Sequence, residues 1–410
     1  MDSVIGDMHR YQRLTPFRIR DVLIVASPFD NYVLEESGHL SDLIAKEYNE
    51  LNLTQAPRFI HSPNAEDALT LMRIWKFDLI ITMARIGSMK VHDFAQRAAD
   101  LLPGIKVVLL AYNTRELATL RQGAGIERTF VWHGDSRIIL AICKLMEDTN
   151  NAYNDVKNGD VQVILLVEDS RRFYSGYLPI LYRMLVEQTS RLMFKGANLQ
   201  EKVLRLRARA KVLLATDYEE AMLHLERYED NIIGVITDGR FPNADGDIDN
   251  AGIDLVKEVR TRHPHMPILF QSKNLELKQA AEELGTTFLH KEDPALHRGI
   301  EAFMKHEMSF GDFIFRDEDG EELARAADLS ELRNALQVVP VQSVRRHAER
   351  NHFSHWMRTR TEFDLAAKVR PMKLDDFSEL EGVRDFLIHE IGEFLNNRRA
   401  RQVRNYEKGL

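Results

Sequence analysis

The sequence predicts an α/β protein: two doubly wound, five-stranded parallel-sheet domains in tandem, then a mostly helical C-terminal domain. Three observations predict it. Short Val/Ile/Leu runs alternate twice with helix-length stretches, the pattern of parallel strands buried on both faces. The two passes also align with each other. FDLIITMARIG at 77–87 matches IIGVITDGRFP at 232–242, PGIKVVLLAYN at 103–113 matches PHMPILFQSKN at 264–274, and GIERTFVWHG at 125–134 matches ELGTTFLHKE at 283–292. This is a domain duplication rather than a short-period repeat. Finally, the pattern changes near residue 309.

The first pass places strands at 22–26, 79–82, 107–111 and 129–132, with a helix at 65–75, and defines a domain over 16–148. A polar stretch with Asp148, Asn151, Asn154, Asp155 and Gly159 marks the boundary. The second pass places strands at 161–167, 211–215, 232–237, 267–271 and 286–289, and helices at 253–262 and 275–284, within a domain over 160–308. Residues 193–210, MFKGANLQEKVLRLRARA, read as a basic helical insertion, either a solvated helix face or a docking surface. In 309–410 a hairpin turns at Asp319-Gly320. Helices broken by Pro340 and Pro371 follow, and then a charged helix over 375–409.

At 410 residues, 44% hydrophobic and 29% charged, the chain has the composition of a soluble multidomain protein. Its single cysteine, Cys143, follows the apolar Ile139, Leu140, Ala141 and Ile142. An internal disulfide and a Cys-based zinc cluster are excluded, and a buried core thiol in the reducing cytoplasm is expected. No run approaches 18 apolar residues, so no membrane span is expected. The net charge of −8 argues against nucleic acid as the main partner. His347, His352 and His355, spaced five and three apart, do not share one helical face and do not read as a metal site. LIHEIGEF at 387–394 is not HExxH, and no phosphate-binding glycine loop is present. Arg398, Arg399, Arg401 and Arg404 read as a solvated helix end.

Chemistry in such sheets gathers beyond the carboxyl ends of the strands. In the second domain those ends carry Glu168 and Asp169, Asp238, Ser272 and Lys291, which the fold brings to one rim. Close carboxylates repel unless a hard cation joins them, and Mg²⁺ suits oxygen donors of this kind.

This set resembles the receiver domain of two-component systems. VEDSRRFY, DGRFP followed by AGIDLVKEVR, PILFQSK and FLHK reproduce the family's order and spacing, with Pro242 four residues after Asp238. The resemblance implies that Asp238 accepts a phosphoryl group. Glu168, Asp169, Asp238 and the backbone carbonyl of Arg240 would hold Mg²⁺. Lys291 and Ser272 would contact the phosphoryl oxygens, and Phe288 would turn inward with Ser272 as the switch. The donor would be a histidine kinase or a small phosphodonor, and no further catalytic activity is implied. Lys273 and Glu292 depart from the family's small residue and proline.

The first domain lacks these groups. The alignment sets Ala26 and Ser27 at the acidic pair, Met83 at the acceptor, Ala111 at Ser272 and His133 at Lys291. Residues 16–148 thus look like a pseudo-receiver, used for homodimerisation or for packing on its neighbour. Over about 10–408, RFYSGYLPILYRMLVEQTSRLM, LRLRARAKVLLATDYEEA and NHFSHWMRTRTEFDLAAKVRP resemble the N-terminal regulatory region of phosphoenolpyruvate synthase-like bacterial proteins. That resemblance implies regulation of a fused or partner enzyme whose catalytic domains this chain lacks. The rival expectations are a phosphorylation-independent scaffold and a DNA-binding regulator.

Overall fold

A computed structural model describes residues 12–37, 56–118, 125–193, 207–243, 246, 249–317, 319–370, 372, 376, 377 and 379–407. Two five-stranded, all-parallel sheets form as the sequence predicts. The first contains β1 (Asp21–Val25), β2 (Arg58–Ser62), β3 (Leu79–Met83), β4 (Lys106–Ala111) and β5 (Arg128–Val131), in the order β2-β1-β3-β4-β5. The second contains β6 (Val163–Val167), β7 (Lys211–Ala215), β8 (Ile232–Asp238), β9 (Ile268–Ser272) and β10 (Thr287–His290), in the order β7-β6-β8-β9-β10. Both are the 2-1-3-4-5 order of a flavodoxin-like doubly wound sheet, whose switch point lies beside the first strand. The central strands β3, β6 and β8 are buried along their whole length, because helices cover both faces. That is why their sequences are apolar without alternation.

The polar stretch at 148–159 is not a linker. It continues the Arg137–Gly159 helix, and Asp148, Asn151 and Asp155 within it are fully buried. Their partners come from elsewhere in the chain. Asp148 takes a two-pronged contact from Arg209 at 2.7 and 2.9 Å, the Tyr182 hydroxyl at 2.9 Å and the Val212 amide at 3.0 Å. Asp155 pairs with the buried Lys211 at 2.8 Å and accepts from the Thr15 amide at 2.7 Å. Buried carboxylates persist only when compensated in this way.

The Arg171–Met193 helix lies between the two sheets. Ser175, Tyr177, Leu178, Leu181 and Leu185 are buried along it. It covers the free edge of β5: the Tyr174 hydroxyl donates to the Thr129 carbonyl, and the Val131 amide donates to Ser175 Oγ at 3.0 Å. One apolar core, including Ile24, Ile142, Ile164 and Leu181, runs through both domains. Cys143 is buried in it, and burial pushes its thiol up to about 12.

The C-terminal part is mostly helical. β11 (Phe313–Arg316) and β12 (Glu322–Ala326) form the expected hairpin, and Gly320 takes the positive φ of its turn. Five helices follow among the described residues, ending in Leu380–Glu407. Phe313, Phe315, Phe353 and Trp356 center their core, with Phe313 stacked on Phe353 at 4.8 Å. Arg358, nearly buried, ties this part to Asp160 at 2.7 Å. Residues 194–206 of the expected basic insertion lie outside the described residues. No described helix is long and apolar enough to cross a membrane.

Candidate functional site

The strand ends of the second sheet converge as the topology requires. Glu168 follows β6, and its amide donates to the Ala215 carbonyl at 3.0 Å, one step beyond the ladder. Asp238 is the last residue of β8, Ser272 the last of β9, and Lys291 follows β10. The Lys291 amide donates to the Ser272 carbonyl at 3.0 Å, which fixes where the lysine leaves the sheet.

Glu168, Asp169 and Asp238 each offer a carboxylate oxygen, and these oxygens lie within 4.8 Å of one another. Glu168 is 1% exposed and Asp238 8%, whereas Asp169 stands at the solvent edge. Lys291 Nζ lies 2.6 Å from Glu168 Oε2 and 2.6 Å from Asp238 Oδ2. Burial, reinforced by the Asp238 charge and opposed by Lys291, pushes the Glu168 carboxyl up to about 8. Partial desolvation and then Asp238 hold Asp169 above the ordinary carboxylate range. One lysine serves three carboxyl groups, so the group has a surplus of negative charge once they ionise. A hard divalent cation would balance it, so these residues fit Mg²⁺.

Close packing holds Asp238 in place. The Gly239 amide donates to Asp238 Oδ1 at 2.6 Å. A Cβ on Gly252 would stand 2.4 Å from the Asp238 carbonyl oxygen and 2.7 Å from Gly239 Cα, so only glycine lets the Ala251–Arg262 helix approach this strand end. Ser272 Oγ accepts from the Asn274 amide at 3.0 Å, next to the place a Cβ on Gly239 would fill. The Phe288 ring is half-buried and stacked on Phe270 at 6.2 Å. Arg240, two residues past Asp238, extends its guanidinium to Asp249 at 2.9 Å in an exposed ion pair. Glu168, Asp169, Asp238 and Lys291 are therefore brought together, with Ser272 beside them, while the Phe288 ring packs on the neighbouring face.

Phe173 is a member of the site that sequence reasoning did not single out. Its ring lies 4.4 Å from Lys291 Nζ, 5.4 Å from Lys273 Nζ and 5.7 Å from the Arg172 guanidinium carbon. The available signal was its place four residues after Asp169, in the first turn of the following helix. A cleft of about 760 Å³ opens beside it between the two sheet domains, lined among others by Val131, His133, Arg172, Phe173, Lys273 and Lys291.

The first domain shows what remains without acids. The Ala26 amide repeats the Glu168 ladder bond on the Ser62 carbonyl at 3.1 Å. Met83 pairs with Leu110 as Asp238 pairs with Gln271. The position of Lys291, however, belongs to Trp132 and not to His133. The Trp132 amide donates to the Ala111 carbonyl at 2.8 Å, as Lys291 does to Ser272, and Val131 pairs with Ala111 as His290 pairs with Ser272. Matching Phe130 to Phe288 slips the strand by one residue and reverses its faces. Phe130 takes the place of Leu289. Trp132 is buried, and His133 lines the interdomain cleft.

The three histidines of the C-terminal part form no ligand set. His347 and His352 face each other, Nδ1 to Nδ1 at 2.9 Å, and the acidic group is the metal-capable cluster among the described residues. Arg398 pairs with Glu362 at 3.0 Å.

No protein-family model matches the chain, and no curated protein matches it. Among solved structures, a two-component system response regulator/GGDEF domain protein aligns at 16% identity and a TM-score of 0.31, covering 69% of this chain and 96% of its own. A second structure of a protein so described aligns at 16% and 0.30, with the same coverage. The XylFII molecule aligns at 12% and 0.19, over 71% of this chain and 94% of its own. TM-scores this low carry no argument, so the site is read from its own geometry. The resemblance to phosphoenolpyruvate synthase-like regulatory regions finds no support in these comparisons.

Proposed function

We propose that residues 160–308 are a phosphoryl-accepting receiver and that the chain is a regulatory module. The observation that carries this is the group of the buried Glu168 and Asp238 with Asp169 at its solvent edge, and Lys291 bridging the two buried members at 2.6 Å each. Asp238 Oδ is the nucleophile. It forms a bond to phosphorus as the bond to the donor's leaving atom breaks, the electron pair staying on the carboxylate oxygen of an acyl phosphate donor or on the imidazole nitrogen of a phosphohistidine, and an acyl phosphate results on Asp238. Lys291 turns from the carboxylates to the incoming phosphoryl oxygens and compensates their charge. Ser272 Oγ, at the next strand end, donates to one of them, and Phe288 follows it as the switch. Mg²⁺ held by Glu168, Asp169, Asp238 and the Arg240 carbonyl would neutralise charge on the phosphoryl oxygens.

The donor is a small phosphodonor or a histidine kinase. The added charge of about −2 shifts a two-state surface, which passes the signal to the C-terminal domain, to a homodimer contact or to a phosphoenolpyruvate synthase-like enzyme. We place the protein in the cytoplasm on the strength of its single buried thiol. The test is intact mass after incubation with acetyl phosphate and Mg²⁺. One phosphoryl group is expected on the wild type and none on Asp238→Asn, and labelling that survives this substitution sinks the assignment. The rival reading is a phosphorylation-independent scaffold. It draws on the rim pair Lys273–Glu292 at 3.8 Å, where a receiver has a small residue and proline. A scaffold predicts weak Mg²⁺ binding that is indifferent to Asp238→Ala.

A further inference from the structure

Phe173 and Lys291 line the 760 Å³ interdomain cleft, whereas Glu168, Asp169 and Asp238 do not. Phe173 is half-buried in the first turn of the Arg171–Met193 helix, and this helix is fixed between the two sheets by Tyr174 and Ser175. Its ring therefore stands on the cleft wall beside Lys291. It also offers a π face to Lys291 Nζ at 4.4 Å, with Lys273 and Arg172 around the same ring. A cation over an aromatic face is attracted to it without being neutralised, so Lys291 keeps its full charge for the carboxylates or the phosphoryl group.

We infer that Phe173 sets the lifetime of the phosphorylated state, acting as a positioning residue for Lys291. The inference rests on the receiver reading and deepens it. Loss of the phosphoryl group is a hydrolysis. A water oxygen forms the new bond to phosphorus as the bond to the Asp238 oxygen breaks. The electron pair stays on the Asp238 carboxylate, inorganic phosphate leaves, and the water proton passes to solvent. Lys291 held on the Phe173 ring stays on the phosphoryl oxygens and keeps their charge compensated.

The experiment measures decay of the acyl phosphate by intact mass, after labelling with acetyl phosphate and Mg²⁺ and removal of the donor. Phe173→Ala is expected to shorten the lifetime about tenfold, and Phe173→Trp, which keeps the π face, to hold it within about twofold of wild type. Phe173→Leu keeps most of the packed volume without the π face, and it shortens the lifetime as well. Mg²⁺ affinity stays the same in all three, because no ligand is altered. A Leu or Ala variant as long-lived as wild type, or a Trp variant as short-lived as Ala, overturns the inference. Absence of labelling in the wild type is a different result, which overturns the receiver reading itself.

Discussion

Lys291→Ala tests the electrostatic core of the site. At 2.6 Å from each carboxylate, and with an effective dielectric constant of about 20, each contact is worth roughly 6 kcal/mol of gross attraction. Most of this offsets the cost of taking three ions out of water. Removing the shared partner leaves a net loss of about 3–5 kcal/mol. The loss depends on pH with a definite sign. Glu168 is already raised to about 8 by burial, and losing the lysine raises it further. A carboxyl raised in the folded state costs stability as pH climbs above its unfolded value of about 4.3. The variant should therefore be most destabilised near pH 8.5. At pH 6, where Glu168 keeps its proton and only the Asp238 contact is lost, the cost should fall to about half. Mg²⁺ at a hundred times its dissociation constant should restore about 2.7 kcal/mol. Urea unfolding at both pH values, with and without Mg²⁺, measures all of this. Equal losses at the two pH values, together with no rescue by Mg²⁺, would refute the reasoning.

Asp148→Ala removes the carboxylate from the mostly buried Arg209, which keeps the Ala210 carbonyl, and leaves Lys211 with Asp155, the Thr15 hydroxyl and the Arg207 carbonyl. The expected cost is about 3–5 kcal/mol in urea unfolding, and a loss below 1 kcal/mol would mean that the network is not buried as described. Gly252→Ala forces its Cβ against the Asp238 carbonyl, so it should cost stability and slow acetyl phosphate labelling, whereas Gly104→Ala meets no neighbouring atom and should leave labelling alone. Burial holds His347 down to about 4. The unfolded chain therefore binds a proton between about pH 6.5 and 4 that the folded chain refuses. Stability from this group is flat above that window and falls by about 2 kcal/mol on reaching pH 5. Urea midpoints at pH 7 and 5 should show the loss, and His347→Phe should reduce it.

The strand-end residues Glu168, Asp169, Asp238, Ser272 and Lys291 were legible because they stand at the ends of apolar runs whose topology is limited to few choices. Phe173 was not legible. Its role depends on the helix it opens being held between two sheets. Asp148 and Asp155 read as a polar boundary because their partners Arg209 and Lys211 lie more than fifty residues away in sequence, and Asn151 because it bonds the distant Phe17 backbone.

The sequence by itself determined that two parallel sheets form and which side chains stand at their carboxyl ends, because burial on both faces demands continuous apolar runs and places the first polar residues at the rim. Only the tertiary structure decided that Trp132 occupies the lysine's place. In a short strand such as RTFV both faces are covered, so hydrophobicity is equal for either register, and the bond from the Trp132 amide to the Ala111 carbonyl selects between them.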